Sequence, residues 1–106
     1  MTAVRTEYEA RMITLVVKYV FRTGSEDEAE AYIRKLIAAT RQEPGCRTYS
    51  VNRSLERART YLFFEQYDDQ AALDAHRASP YFLEFGKNGI QTIAESRDAS
   101  TYEPLE

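Results

Sequence analysis

A single histidine, His76, occurs among the 106 residues. It sits in Ala72-Leu73-Asp74-Ala75-His76-Arg77-Ala78-Ser79-Pro80-Tyr81-Phe82, a stretch with helical spacing that restarts at the proline. No other side chain type here has an unperturbed pKa suited to proton transfer near neutral pH. Upstream, Thr60-Tyr61-Leu62-Phe63-Phe64-Glu65-Gln66-Tyr67 reads as a strand in which Phe63, Glu65 and Tyr67 share one face and Leu62, Phe64 and Gln66 the other. If the first face meets the helices, Glu65 and Tyr67 lie near His76. Leu73 is three residues before the histidine on the same helical face, and Tyr81, Phe82 and Phe85 come from the next turn. The expected product is an aromatic pocket holding one imidazole, one carboxylate and one phenol. Such a pocket suits a flat, partly apolar ligand with ionisable hydroxyls, and a histidine held by a carboxylate can remove a phenolic proton. Spacing alone favours a plainer arrangement, in which Glu65 and His76 satisfy each other between sheet and helix and the aromatics are core.

Other chemistries lack their residues. One histidine and one isolated cysteine, Cys46, supply no cluster of nitrogen and sulfur ligands, so no metal site is expected. Cys46 as a nucleophile would need a basic partner to activate it, and its place after Pro44-Gly45 at the start of a strand reads as structural. The glycines Gly24, Gly45, Gly86 and Gly89 form no phosphate-cradling loop, so neither nucleotide nor flavin is indicated.

Length and composition bound the scaffold. A chain of 106 residues is one domain, and 43% hydrophobic with 29% charged residues is ordinary for a folded globular protein. The net charge is −3 and basic residues are interleaved with acids, which speaks against nucleic acid as a partner. The apolar run Met12 to Phe21 is interrupted by Thr14 and Lys18 and is too short to span a membrane. A start without a secretory stretch, together with the lone cysteine, fits a reducing cytoplasm.

Residues 1–11 are polar and aperiodic and read as an N-terminal arm, leaving 12–106 as the domain. Ile13, Leu15, Val17, Tyr19 and Phe21 define one face of a first strand. Thr23-Gly24 ends it, and Ser25-Glu26-Asp27-Glu28 has the form of a capping box opening a helix that runs to about Gln42, with Ala29, Ile33, Leu36, Ile37 and Thr40 at helical spacing. Glu43-Pro44-Gly45 stops that helix before a second strand, Cys46 to Ser54. A polar hairpin loop leads to the third strand already described. Asp68-Asp69 caps the short helix bearing His76, Ser79-Pro80 opens another turn through Phe85, Asn88-Gly89 closes it, and Ile90 to about Tyr102 supplies a last strand. The order β-α-β-β-α-α-β suits an α+β, ferredoxin-like antiparallel sheet with helices on one face.

The third strand is apolar on both sides, at Tyr61, Leu62, Phe63 and Phe64, and the first carries Val16 and Val20 opposite Leu15 and Val17. A half-solvated antiparallel sheet should alternate cleanly, and no further helix exists to cover the second face. A homodimer with two sheets back to back is the simplest cover.

Glu43-Pro44-Gly45-Cys46 with Tyr49, then Phe64-Glu65-Gln66-Tyr67-Asp68-Asp69, Ala72-Leu73-Asp74-Ala75-His76 and Ser79-Pro80-Tyr81-Phe82, in that order, resemble the antibiotic biosynthesis monooxygenase family over roughly Ile13 to Pro104. The resemblance implies a dimeric α+β barrel and oxidation of a small aromatic substrate, a quinol or polycyclic phenol, by O2 with no metal, flavin or haem cofactor. The substrate acts as its own reductant once deprotonated, and the protein supplies a base, a dry aromatic pocket and stabilisation of the anion. On this chain those roles fall to His76 as base, Glu65 as its orienter, and Tyr67 with Phe63, Leu73, Tyr81, Phe82 and Phe85 as the pocket. The chain departs from the family at Tyr67, where tryptophan is usual, and at Tyr81, where a second histidine is frequent.

Haem-degrading relatives resemble this chain less. They use a strand-one asparagine, a pocket tryptophan and a later histidine ligand, whereas Thr14 to Phe21 holds no asparagine, Tyr67 replaces the tryptophan, and Tyr81 to Asn88 holds no histidine. A barrel that binds or isomerises a metabolite without oxygen is the remaining alternative, since fold does not fix function.

Overall fold

The computed structural model describes residues 11–105; the N-terminal arm expected over 1–11 lies, apart from Arg11, outside the described residues. Strand β1 (Ile13–Phe21) is the longest β-branched and aromatic run of the chain, and its alternate residues Ile13, Leu15, Val17, Tyr19 and Phe21 are all buried. Helix α1 (Glu26–Thr40) follows and buries Ala29, Ile33, Leu36 and Thr40, the stripe spaced for one helical face. Then come β2 (Cys46–Arg53), β3 (Thr60–Tyr67), α2 (Gln70–Arg77), a π-helical turn at Phe82–Lys87, a 3-10 turn at Ile90–Ile93 and β4 (Ala94–Tyr102).

The strands form one antiparallel sheet in the order β2-β3-β1-β4. This is the expected α+β, ferredoxin-like arrangement with helices on one face. Register places Val17 opposite Phe63 and Leu15 opposite Glu65, so the inner faces of β1 and β3 present a continuous apolar floor interrupted by one carboxylate. Tyr19 stacks on Phe21 at 5.3 Å, and Phe21 meets Tyr61 edge-on. Each such fully buried large side chain contributes about 1.5–3 kcal/mol.

Three local expectations change. Ser25 does not close a capping box; its hydroxyl donates to the Arg22 carbonyl at 2.7 Å, a local turn bond that removes it from the helix amides. The last strand begins at Ala94 rather than Ile90, because Ile90 turns into the core on the 3-10 segment. The turn opened by Ser79-Pro80 is π-helical rather than α-helical. The Asp69 cap of α2 forms as expected, its side chain accepting from the Ala72 amide at 2.9 Å.

On the other side of the sheet, Val16 lies opposite Phe64 and Lys18 opposite Leu62, and Leu62 and Phe64 are 41% and 36% exposed. Among the described residues no helix packs there. Among the described residues no helix is long and apolar enough to cross a membrane.

Candidate functional site

The site forms where β3, the turn after α1 and α2 converge. The Asp69 cap fixes the start of α2 and turns its apolar face, with Leu73 and His76, onto the sheet. His76 is 2% exposed. The turn Glu43-Pro44-Gly45 is drawn against the same helix by a very close approach, since a Cβ on Gly45 would stand 2.5 Å from the Ala72 Cβ. The Asp68 amide bonds the Gly45 carbonyl at 2.9 Å and completes the clamp. Gly45→Ala is therefore expected to destabilise the fold by about 1–3 kcal/mol through overpacking and to shift Glu43 away from the ring. Urea unfolding checks the first effect.

Glu43 is what that clamp delivers. Its Oε2 lies 2.9 Å from His76 Nδ1, and the Tyr81 hydroxyl donates to the same oxygen. A carboxylate only accepts, so Nδ1 carries the proton and Nε2 keeps its lone pair. Glu65 was expected as the orienting acid, and the geometry corrects this. Its Oε1 is 3.9 Å from His76 Nε2, beyond a hydrogen bond, and takes the Tyr67 hydroxyl at 2.5 Å instead. Of the plainer arrangement, the direct Glu65–His76 hydrogen bond is not made, while Phe63 and Tyr67 are packed as core.

Burial lowers the His76 pKa below 6.5, only partly opposed by the bond to Glu43. The ring is thus neutral at neutral pH. Burial pushes the Glu65 carboxyl up to about 7, with the Tyr67 bond pulling it back in part, and the Tyr67 phenol is raised by burial and by Glu65 so that it remains a donor. Because folded Glu65 holds a proton that the unfolded chain has already lost, stability falls as pH rises from 4.5 to about 7, by at most about 3 kcal/mol. Glu65→Gln retains an acceptor for Tyr67 and removes the buried charge. It should be more stable than the parent at pH 8 by about 1–3 kcal/mol and equal to it at pH 5; an identical difference at both pH values would contradict the assignment.

Aromatic rings pack closely on the imidazole: Phe82 at 5.0 Å between centroids, Tyr67 at 5.2 Å, Tyr49 at 6.0 Å and Tyr81 at 6.5 Å. The hollow that remains beside His76 and Glu65 is about 20 Å³, with Phe63, Tyr49 and Phe82 among its walls. That is room for a water, far short of an aromatic ligand. The open pocket expected from spacing is closed down because its own walls fill it. Phe82 belongs to the π-helical turn, a backbone class that recurs at functional sites.

Of the expected pocket residues, Phe63 and Phe82 line the hollow, Tyr67 and Tyr81 contact the imidazole without lining that hollow, and two stand elsewhere. Phe85 faces α1, 6.3 Å from Tyr32 and under the Lys35 ammonium, and Leu73 lines an adjoining cleft of about 390 Å³ with Ile13, Gln70, Arg77 and Tyr102. Spacing missed Glu43, Tyr49, Arg77 and Arg97, all of which touch His76 or its hollow. For Glu43 a signal existed: an acid just past the C-terminal end of a helix opposes the macrodipole and needs another reason to be there. Among the described residues, no three His, Cys, Asp or Glu side chains converge as a metal-binding set.

Comparison with known proteins places the chain in a family. The sequence profile described as antibiotic biosynthesis monooxygenase matches residues 12–88. An uncharacterised protein of Synechocystis is 33% identical over 85 residues, 80% of this chain, which spans 58% of that relative's length. Rv0793 of Mycobacterium tuberculosis, whose name proposes a monooxygenase activity, is 32% identical over 73 residues, covering 69% of this chain and 71% of its own. A Caulobacter crescentus structure assigned to the same class superposes with a TM-score of 0.85 at 27% identity, over 93% of this chain and 94% of that one. The sheet and helices that carry these residues thus belong to a shared architecture, and this chain is a member of the antibiotic biosynthesis monooxygenase family.

Proposed function

We propose that the protein is a cofactor-independent monooxygenase that oxidises a quinol-like or phenolic substrate with O2, using His76 as general base. One observation carries this reading: a buried, neutral imidazole that lines the hollow, its Nδ1–H held by Glu43 and its Nε2 without a hydrogen bond among the described residues. Nε2 takes the phenolic proton, and the Glu43 carboxylate stabilises the imidazolium that results. The electron-rich phenolate passes one electron to O2, the two radicals combine at a ring carbon, and loss of water leaves a carbonyl there. One oxygen atom stays on the product and the other leaves as water, so no outside reductant is consumed. The aromatic surround excludes competing solvent. Substrate enters by moving Phe82 and the π-helical turn. The test is consumption of ¹⁸O2 by purified protein over a panel of hydroquinones. Incorporation of one labelled atom per product supports the proposal, and turnover that continues without oxygen contradicts it.

The second part of the proposal is a homodimer in which the sheet face bearing Val16, Leu62 and Phe64 packs on its copy. Sedimentation should give a dimer mass, and Phe64→Glu should convert it to monomer. A parent protein that sediments as monomer at all concentrations would refute this. With Cys46 unpaired, a reducing cytoplasm is the proposed setting.

A further inference from the structure

Two arginines absent from the mechanism above border the same hollow. Arg77 ends α2, and Arg97 lies on β4 opposite Tyr19, which puts it on the inner side of the sheet. Arg97 gives its Nε–H to the Tyr19 hydroxyl at 3.1 Å and lies over that ring, and among the described residues neither of its Nη groups makes a hydrogen bond. Among the described residues neither arginine is in an ion pair. The acids of the site are occupied elsewhere: Glu43 by His76 and Tyr81, Glu65 by Tyr67. Both guanidiniums lower the pKa of Glu65, so their field reaches the interior. Arg77 is also shared with the adjoining 390 Å³ cleft, whose floor includes Ile13, Leu73 and Tyr102, and it therefore stands at the junction between a space large enough for an aromatic body and the base.

We propose that Arg77 and Arg97 select aromatic substrates bearing a carboxylate, gripping the acid group at the mouth of the hollow while the phenolic hydroxyl is presented to His76. Two forked, permanently charged donors match a planar carboxylate. The inference rests on the oxygenase reading for the orientation of the hydroxyl, but acid recognition is measurable without turnover.

Calorimetric titration under nitrogen with 2,5-dihydroxybenzoate, its methyl ester and unsubstituted hydroquinone makes the test. The acid should bind about tenfold or more tightly than the ester at low salt, and the advantage should shrink as ionic strength rises. Arg77→Gln with Arg97→Gln should bring acid and ester to parity. If that double variant does not fold, the salt dependence of the parent's preference decides alone. An ester bound as tightly as the acid, a preference that survives both substitutions in folded protein, or the absence of binding by all three at millimolar concentration would overturn the proposal. Lost acid preference alongside labelled-oxygen incorporation from neutral hydroquinones removes this inference and leaves the oxygenase reading intact. Acid preference with no oxygen consumed by any probe does the reverse.

Discussion

His76→Asn is expected to lower oxygen consumption on a hydroquinone by about 10²-fold or more while leaving the fold and the sheet-face assembly unchanged. Asparagine is the informative replacement because its amide N–H falls near the position of Nδ1–H and can still donate to Glu43, while nothing takes the place of the Nε2 lone pair. His76→Ala should abolish turnover as well, but it also opens a void among Phe82, Tyr67 and Tyr49 and leaves Glu43 with Tyr81 alone. The two variants together separate chemistry from packing. If His76→Asn keeps full activity with normal circular dichroism, the base has been assigned to the wrong atom.

Glu43→Gln should cost turnover by a comparable factor, about 10²-fold, for a different reason. The amide oxygen can still accept from Nδ1–H, so the ring keeps its place, but the negative charge that favours the imidazolium is gone. The loss should fall on kcat rather than on KM, because nothing on Glu43 faces the hollow. Glu43→Leu removes the one oxygen that accepts from both His76 Nδ1–H and the Tyr81 hydroxyl, and should in addition lower stability by about 2–4 kcal/mol. Stopped-flow oxygen consumption and urea unfolding on the same preparations distinguish a lost charge from a lost hydrogen-bond partner.

Much of the fold is legible in the residues. Alternation in Ile13-Thr14-Leu15-Val16-Val17-Lys18-Tyr19 gives β1 its buried face, and Phe63, Glu65 and Tyr67 share the inner face of β3 because a strand has period two. Asp69 announces its helix through a local bond over three residues. Ser25 shows the limit of local signals: the same side chain has a competing carbonyl at Arg22, and only the chain's path decides between them.

The chemistry is harder to see because its pairings are long-range. His76 and Glu43 are separated by 33 positions, Tyr81 and Glu43 by 38, and they meet only because Gly45 lets one turn press on Ala72. Glu65 lay at the right place on the right face, and a register argument could bring it near the histidine without resolving 3.9 Å from a bond. Volume is likewise invisible to spacing. The residues that wall a pocket are the residues that can fill it, and here Phe82 does.

The opposite shifts of the two titrating groups also shape stability. Neutral His76 is favoured by folding, so acid below 6.5 destabilises through it, whereas Glu65 destabilises as pH rises toward about 7. The site holds a neutral imidazole and a carboxyl that titrates near 7 beside one small hollow, at some cost to the fold, a pattern typical of groups kept for chemistry.

Because His76 is the sole histidine, one imidazole signal reports on it without ambiguity in tag-free protein. ¹⁵N NMR of the histidine-labelled chain, followed through pH, measures both its protonation and which nitrogen carries the hydrogen. The account predicts a neutral ring at pH 7, protonated at Nδ1 and bare at Nε2, titrating below 6.5. A ring that titrates above 6.5, or that carries its neutral-state proton on Nε2, would leave the site without the base on which the proposed oxidation depends.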